Sequence, residues 1–195
     1  MKKLCILGLG YIGLPTAATF ATHGYEVIGV DINESVVNSL KLGKVHIQEP
    51  ELNALFEQAV YSGKLKLSTE VEPSDAFIIS VPTPFYDDKK ADMQAVKSAA
   101  KMIVPQLKPG NSVTLESTSP PRTTLDLVLP ILETSGMEVG TDILLAYSPE
   151  RVLPGKIQEE LKNNSRVLGG VNLESARAGR DLYSIFVQRD ITLTD

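Results

Sequence analysis

Three glycines, Gly8, Gly10 and Gly13, stand between a short apolar run and a helix-like segment, and no other feature restricts the fold of this chain so tightly. Lys3 to Leu9 is short and almost wholly apolar, the pattern of a strand buried on both faces. Tyr11 to Thr22 reads as the helix that follows, and His23-Gly24 stops it, glycine being the usual residue just past a helix end. Tyr25 to Val30 is a second strand, and Asp31 falls at its C-terminal end, 18 residues beyond Gly13. A strand, a Gly-x-Gly-x-x-Gly turn, a helix, a strand and an acidic residue in that order make a dinucleotide-binding fingerprint. The first glycine permits the tight turn, the second lets a pyrophosphate approach the backbone, and the third lets the helix pack on the strand. The helix start offers free N–H groups and the positive end of its dipole to the phosphates. A carboxylate at position 31 can accept hydrogen bonds from the adenosine ribose and would repel a 2′-phosphate. Neither Ile32 nor Asn33 supplies an arginine to hold such a phosphate, so the sequence favours NAD over NADP.

The rest of the chain alternates strand-like and helix-like runs, which predicts an α/β fold: a Rossmann-type, doubly wound, mostly parallel sheet with helices on both faces. Asn33 is placed to cap a helix through Leu42, with Gly43 after it. Pro50 is expected to open another helix through Tyr61, and Ala91 to Val104 and Asn172 to Phe186 to form two more. Strands are expected at Lys64 to Leu67, Ala76 to Val81, Ser112 to Leu115, Ile143 to Tyr147 and Arg166 to Leu168. Pro121 to Ser135 reads as a helix that Pro130 should kink or break. Asp87-Asp88-Lys89-Lys90 mixes signs after a proline-rich turn and reads as a solvated loop.

A net charge of −5 argues against a nucleic-acid partner or an acidic membrane surface held by bulk attraction. No apolar run is long enough to span a bilayer, and the chain opens on a core strand without the pattern of a signal peptide. A single cysteine excludes an intrachain disulfide, in keeping with a reducing cytoplasm. Cys5 lies within the first strand and reads as inert core. His23 and His46 have no second ligand at metal-binding spacing, so no metal site is assigned.

Ligands of a doubly wound sheet gather outside the C-terminal ends of its strands. Those ends carry Gly8 to Gly13, Asp31, Val81-Pro82-Thr83-Pro84, Glu116-Ser117-Thr118-Ser119-Pro120 and Tyr147-Ser148-Pro149-Glu150-Arg151. Thr83, Ser117 and Thr118 offer hydroxyls where a nicotinamide ribose or amide would lie. Glu150 is a candidate acid or base, and Arg151 a candidate anion holder. Taken singly, each has an ordinary structural alternative, a helix cap or a surface ion pair. Their joint position on one rim is what points to a site.

At these residues the chain resembles the N-terminal domain of the nucleotide-sugar 6-dehydrogenases, the UDP-glucose and UDP-N-acetylmannosamine dehydrogenase family. The resemblance rests on Gly8 to Ala17, Gly29-Val-Asp-Ile32, His46-Ile-Gln-Glu-Pro50, Val81 to Pro84, Glu116 to Pro120 and Ser148 to Gly155. The last of these is similar to the branch acting on UDP-N-acetylhexosamines, UDP-N-acetyl-D-mannosamine above all. The resemblance implies oxidation of a sugar C6 alcohol to a carboxylate with two NAD, through an aldehyde, a thiohemiacetal and a thioester on a cysteine. It implies that Gly8, Gly10, Tyr11, Ile12, Gly13, Asp31, Asn33, Val81, Pro82, Thr83, Ser117 and Thr118 bind the cofactor. It makes Thr118 and Glu150 the groups that position and activate water, and Glu150, Arg151, Val152 and Leu153 the substrate contacts.

The chain departs from the family's pattern at Arg122, where a glycine commonly follows the proline. The resemblance also places a catalytic lysine and asparagine, the cysteine nucleophile and a UDP-gripping domain beyond Asp195. The chain is therefore expected to be the NAD-binding domain of a larger protein, inactive alone, whose parent forms a homo-oligomer through regions outside it. Two other readings stay open at this point. A hydroxyacid dehydrogenase of the 6-phosphogluconate type shares the fingerprint without needing a cysteine, and a freestanding NAD-sensing module would need no second domain.

Overall fold

The computed structural model describes residues 2–194. Six parallel strands come first: β1 (Lys3–Leu7), β2 (Glu26–Val30), β3 (Leu65–Ser68), β4 (Ala76–Ile79), β5 (Ser112–Leu115) and β6 (Leu144–Tyr147). β7 (Arg166–Gly170) joins β6 antiparallel, and β8 (Ile191–Thr194) runs parallel to β7. The spatial order is β3-β2-β1-β4-β5-β6-β7-β8. The chain builds outward from β1 to β3, then crosses back to place β4 on the other side of β1. That reversal opens a crevice at the C-terminal ends of β1 and β4, where a doubly wound sheet takes its ligand.

Helices α1 (Gly13–Thr22), α2 (Glu34–Lys41), α3 (Leu52–Tyr61), α6 (Ile157–Asn163) and α7 (Leu173–Tyr183) cover one face. Helices α4 (Gln94–Ile103) and α5 (Leu129–Glu133) cover the other. Alternation along β1 shows how the sheet feeds both cores: Leu4 and Ile6 enter the first, Cys5 and Leu7 the second, and all four are buried. Double burial is why these strands read as unbroken apolar runs. It also pushes the Cys5 thiol up to about 12, which leaves it inert as the sequence suggested.

The fold departs from the sequence reading where local chemistry overrides pattern. Pro50 does not open α3, because Glu51 takes a left-handed conformation with φ of 62° and the helix starts only at Leu52. Ala91 is drawn into a small antiparallel bridge with Phe85, so α4 waits until Gln94, whose N–H donates to Asp92 Oδ1 at 2.9 Å. The Asp87 to Lys90 stretch is the exposed tip of that bridge, a solvated loop as read. Pro130 has no N–H for the carbonyl four residues back; Thr124–Val128 widens into a π-helical turn and Pro130 sits in the first turn of α5. Helix α6 and strand β8 have no counterpart in the sequence reading.

Candidate functional site

The fingerprint loop is built by three glycines with three different constraints. Gly8 holds φ of +98°, and a Cβ there would lie 2.3 Å from the Ser80 carbonyl oxygen on the neighbouring strand end. A Cβ on Gly13 would come within 1.8 Å of the Gly8 carbonyl oxygen, so only glycine lets α1 start this close to β1. Gly10 is different: a Cβ there would meet nothing within 4 Å. The protein itself does not need glycine at that position. The start of α1 has no side-chain cap and no acidic residue in its first turn, which leaves its positive end open to an anion.

Two hollows flank the loop and share Val81 and Pro82 on their walls, forming one groove across the β1–β4 crevice. The first, about 220 Å³, lies between Asp31 and α4 and is lined mainly by apolar groups such as Val30, Ile32, Ala99 and Met102. The second, about 270 Å³, runs from Gly10, Tyr11 and Ile12 to Thr83, Glu116, Ser117, Thr118 and Glu150. Size does not single this groove out. A hollow of about 330 Å³ lies at the far edge beside Val167 and Thr194, and one of about 440 Å³ near Lys3 and Lys64. Of these hollows, only those of the groove bring together the glycine turn, the Asp31 carboxylate and a cluster of hydroxyls and acids.

Asp31 is held ready at the end of β2: Oδ2 accepts from the Leu9 N–H at 3.0 Å and Oδ1 from the Asn33 N–H at 2.9 Å. Asn33 does not line the groove. Its side chain caps α2 by accepting from the Ser35 N–H at 3.0 Å, and its own amide steadies Asp31. A dinucleotide fits these residues: Asp31 would hold the adenosine ribose, the backbone at Gly10 the pyrophosphate, and the residues on the β4–β6 side the nicotinamide. Asp31→Asn is expected to weaken NAD about ten- to hundredfold, the worth of hydrogen bonds to a charged group, and to narrow the preference over NADP. Calorimetric titration with each cofactor measures both changes.

On the nicotinamide side, backbone bonds fix the hydroxyls. Thr83 Oγ1 donates to the Thr118 carbonyl at 2.7 Å, and Ser117 Oγ to the Val81 carbonyl at 2.8 Å, tying the loops after β4 and β5 together. The exposed Thr118 hydroxyl has no hydrogen bond among the described residues and is the one free to act on a ligand.

Beneath them lies a buried charge cluster that the sequence reading missed. Arg166, at the first position of β7, donates to Glu150 Oε2, lies 3.5 Å from Glu116 Oε1 and reaches Ser148 Oγ at 3.3 Å. Its guanidinium stacks over the Tyr183 ring at 4.2 Å, and the Tyr183 hydroxyl donates to Glu116 Oε1 at 3.0 Å. Glu116 Oε2 is buried without a partner among the described residues. Burial pushes the Glu116 carboxyl up to about 7, against the pull of Arg166 and with a further push from Glu150. The consequence for stability is opposite in sign to that of an ordinary paired carboxylate. A raised native pKa means that this group's contribution is complete below its ordinary 4.5 and is lost as pH rises through about 7. Urea midpoints are therefore expected to fall as pH rises from about 4.5 through about 7, and Glu116→Gln to flatten that fall.

Of the four candidate substrate contacts, only Glu150 reaches the groove. Arg151 is exposed and its guanidinium donates to the Ser165 carbonyl at 2.8 Å; from Arg151, Glu150 accepts only the backbone N–H, at 2.7 Å on Oε1, and it takes its ion pair from Arg166. Val152 packs against the core and Leu153 is exposed outside the groove. Glu49, within the His46 to Pro50 motif, is a second site residue that the sequence does not single out. Its Oε1 accepts from the Tyr11 hydroxyl and, at 2.7 Å, from the Gly155 N–H, joining the fingerprint loop to the loop after β6. Burial would raise its carboxyl, but Tyr11 and the amides of Gly155 and Ile157 outweigh that and lower it. Arg122 adds no charge to the groove: it pairs with Asp126 at 2.7 and 2.9 Å on the far-edge hollow. Its φ of 67° is the conformation that suits the family's glycine. Among the described residues no group of three or more His, Cys, Asp or Glu side chains could hold a metal ion, and no helix is long and apolar enough to cross a membrane.

The doubly wound sheet and its fingerprint groove define a Rossmann-type NAD-binding domain. More narrowly, the chain belongs to the UDP-glucose/GDP-mannose dehydrogenase family: residues 2–187 match that family's NAD-binding domain. It is 48% identical to a UDP-N-acetyl-D-mannosamine dehydrogenase of Methanococcus maripaludis, over all of this chain and 45% of the relative. An NDP-N-acetyl-D-galactosaminuronic acid dehydrogenase of Ralstonia nicotianae is 44% identical, over all of this chain and 48% of the relative. The solved UDP-N-acetyl-mannosamine dehydrogenase of Staphylococcus aureus superposes with a TM-score of 0.96 at 49% identity, covering 99% of this chain and 47% of that one. The chain thus spans about half the length of the relatives it matches.

Proposed function

We propose that this chain is the NAD-binding domain of a UDP-N-acetylhexosamine 6-dehydrogenase, with UDP-N-acetyl-D-mannosamine as the sugar nucleotide. The observation that carries the reading is the meeting of Asp31, Gly10, Thr118 and Glu150 along one groove in a chain of this family. NAD, when bound, supplies the hydride acceptor. The chain's own residues do the rest on this side of the reaction. Gly8, Gly10 and Gly13 with the start of α1 seat the pyrophosphate, and Asp31 holds the adenosine ribose. Val81, Pro82, Thr83 and Ser117 line the floor, while Tyr11 and Ile12 close the near wall. Thr118 orients a water or the sugar C6 hydroxyl from the rim. Glu150, held by Arg166, accepts the proton that leaves that oxygen.

Cys5 is sealed in the sheet, so the nucleophile required by the four-electron oxidation and the residues that grip UDP belong to the part of the enzyme outside these residues. The names of the relatives, mannosamine in most and galactosaminuronic acid in others, support an N-acetylated sugar over glucose. The reading is of a cytoplasmic homo-oligomer that feeds surface polysaccharide synthesis and engages neither nucleic acid nor membrane. The test is the end-point yield of NADH from limiting UDP-N-acetylmannosamine, UDP-N-acetylglucosamine or UDP-glucose, using a protein that carries this chain at the length of its relatives. Two NADH per UDP-N-acetylmannosamine, with none from residues 1–195 alone, is the expected result. No NADH from any of the three sugars would overturn it.

A further inference from the structure

One guanidinium serves two buried carboxylates beneath the nicotinamide side of the groove. Arg166 lies between Glu150, on the loop after β6, and Glu116, at the end of β5; all three are almost fully buried. The other groups facing this pair are the Tyr183 hydroxyl from α7 and the Ser80 hydroxyl from the end of β4, on Glu116, and the Ser148 hydroxyl from the end of β6, on Arg166. None of these carries a second positive charge. Two buried carboxylates against one cation leave an excess negative charge, which a proton removes at much lower cost than leaving it bare. Glu116 is the place for that proton: Oε2 is buried and unpartnered, whereas Glu150 makes the direct contact with Arg166.

We propose that Glu116 holds a proton under the nicotinamide end of the groove and releases it when the oxidised, positively charged cofactor enters. The inference rests on the groove being the cofactor site and concerns a residue to which no role has been given. An added positive charge in the same hollow supplies the second cation that the cluster lacks, so both carboxylates can ionise together. The step is a plain ionisation: the Glu116 O–H bond breaks, the electron pair stays on the carboxylate and the proton passes to solvent. NADH carries the same phosphates and ribose without the ring charge, so it leaves the proton in place. The cluster would thereby distinguish the two redox states of the cofactor by charge. Glu116 acts through Arg166 and Glu150 and is a positioning residue.

The measurement is calorimetric titration of the chain near pH 7 with NAD⁺ and with NADH, each in phosphate and in Tris, whose ionisation enthalpies differ widely. The expected result is release of a fraction of one proton per NAD⁺ and none per NADH. Glu116→Gln is expected to abolish the release while still binding NAD⁺, and affinity for NAD⁺ but not NADH is expected to rise up to about tenfold from pH 6 to 8. The buffer comparison on the unaltered chain needs no variant. Carboxyl ¹³C spectra of the same chain supply a second readout, in which one glutamate titrates near neutrality and shifts on NAD⁺ addition. NAD⁺ binding with no proton released, or with release unchanged in Glu116→Gln, would overturn the inference while leaving the cofactor site intact. Absence of NAD⁺ binding would overturn both.

Discussion

Gly10→Val is expected to weaken NAD binding by at least about 100-fold, some 2.7 kcal/mol, without lowering the melting temperature. The two halves of that result come from one observation. A Cβ at residue 10 meets no protein atom within 4 Å and so points into open space, and the residue is not in a left-handed conformation, so the free protein accommodates a side chain there. The space it fills is the mouth of the groove in front of α1, where a pyrophosphate must touch the backbone. Gly13→Ala supplies the contrast. Its Cβ would sit 1.8 Å from the Gly8 carbonyl, so that variant should lose the fold of the loop together with binding. Thermal melts and calorimetric titration of the two variants separate a glycine kept for the ligand from one kept for the chain. Equal NAD affinity in Gly10→Val and the unaltered chain would move the pyrophosphate elsewhere.

Arg166→Met is expected to destabilise the domain by about 3–5 kcal/mol, because it strands Glu116 and Glu150 in the interior without a cation. For a domain of this size that corresponds to a melting temperature roughly 6–20 °C lower. The loss has a pH signature, shrinking as the carboxylates protonate. Combining Arg166→Met with Glu116→Gln should recover part of it at pH 8, where Glu116 would otherwise lose its proton, and little at pH 5, where Glu116 is already neutral. A change under about 1 kcal/mol, the range of an exposed pair, would show that the cluster is solvated rather than buried. Urea unfolding of the single and double variants at pH 5 and 8 decides between these outcomes.

The parts of this fold that the sequence displays are those where one local rule acts alone. The β1-turn-α1-β2 unit is legible because glycine spacing, apolar runs and a terminal acid each have a single steric or electrostatic reading. The same holds for the rim, since strand ends can be located even when helix starts cannot. The losses lie where distant segments decide. Gln158 to Asn163 is charged and short, and α6 exists because Ile157 and Leu161 are buried against the first core. Strand β8 depends on β7 for its pairing, and β7 on two residues of β6. Arg166 did leave a signal: it shares the inward register of Leu168, with Val167 facing out, and a cation inside a strand needs partners. Its partners are 50 and 16 residues away, which no local pattern reveals. Glu49 shows the same limit, since a carboxylate that clasps Tyr11 and Gly155 looks in sequence like part of a loop.

The central claim is that NAD lies across the β1–β4 crevice with its two ends on opposite sides of the fingerprint loop. Amide chemical-shift mapping of the chain with NAD tests it most directly, because each end of the cofactor has its own set of reporters. The account predicts the largest shifts at Gly10 to Gly13, at Asp31 to Asn33 and at Thr83 and Ser117 to Thr118, with adenosine reproducing only the Asp31 set. Shifts centred instead on the far-edge hollow, at Val167, Gly169 and Thr194, would contradict it.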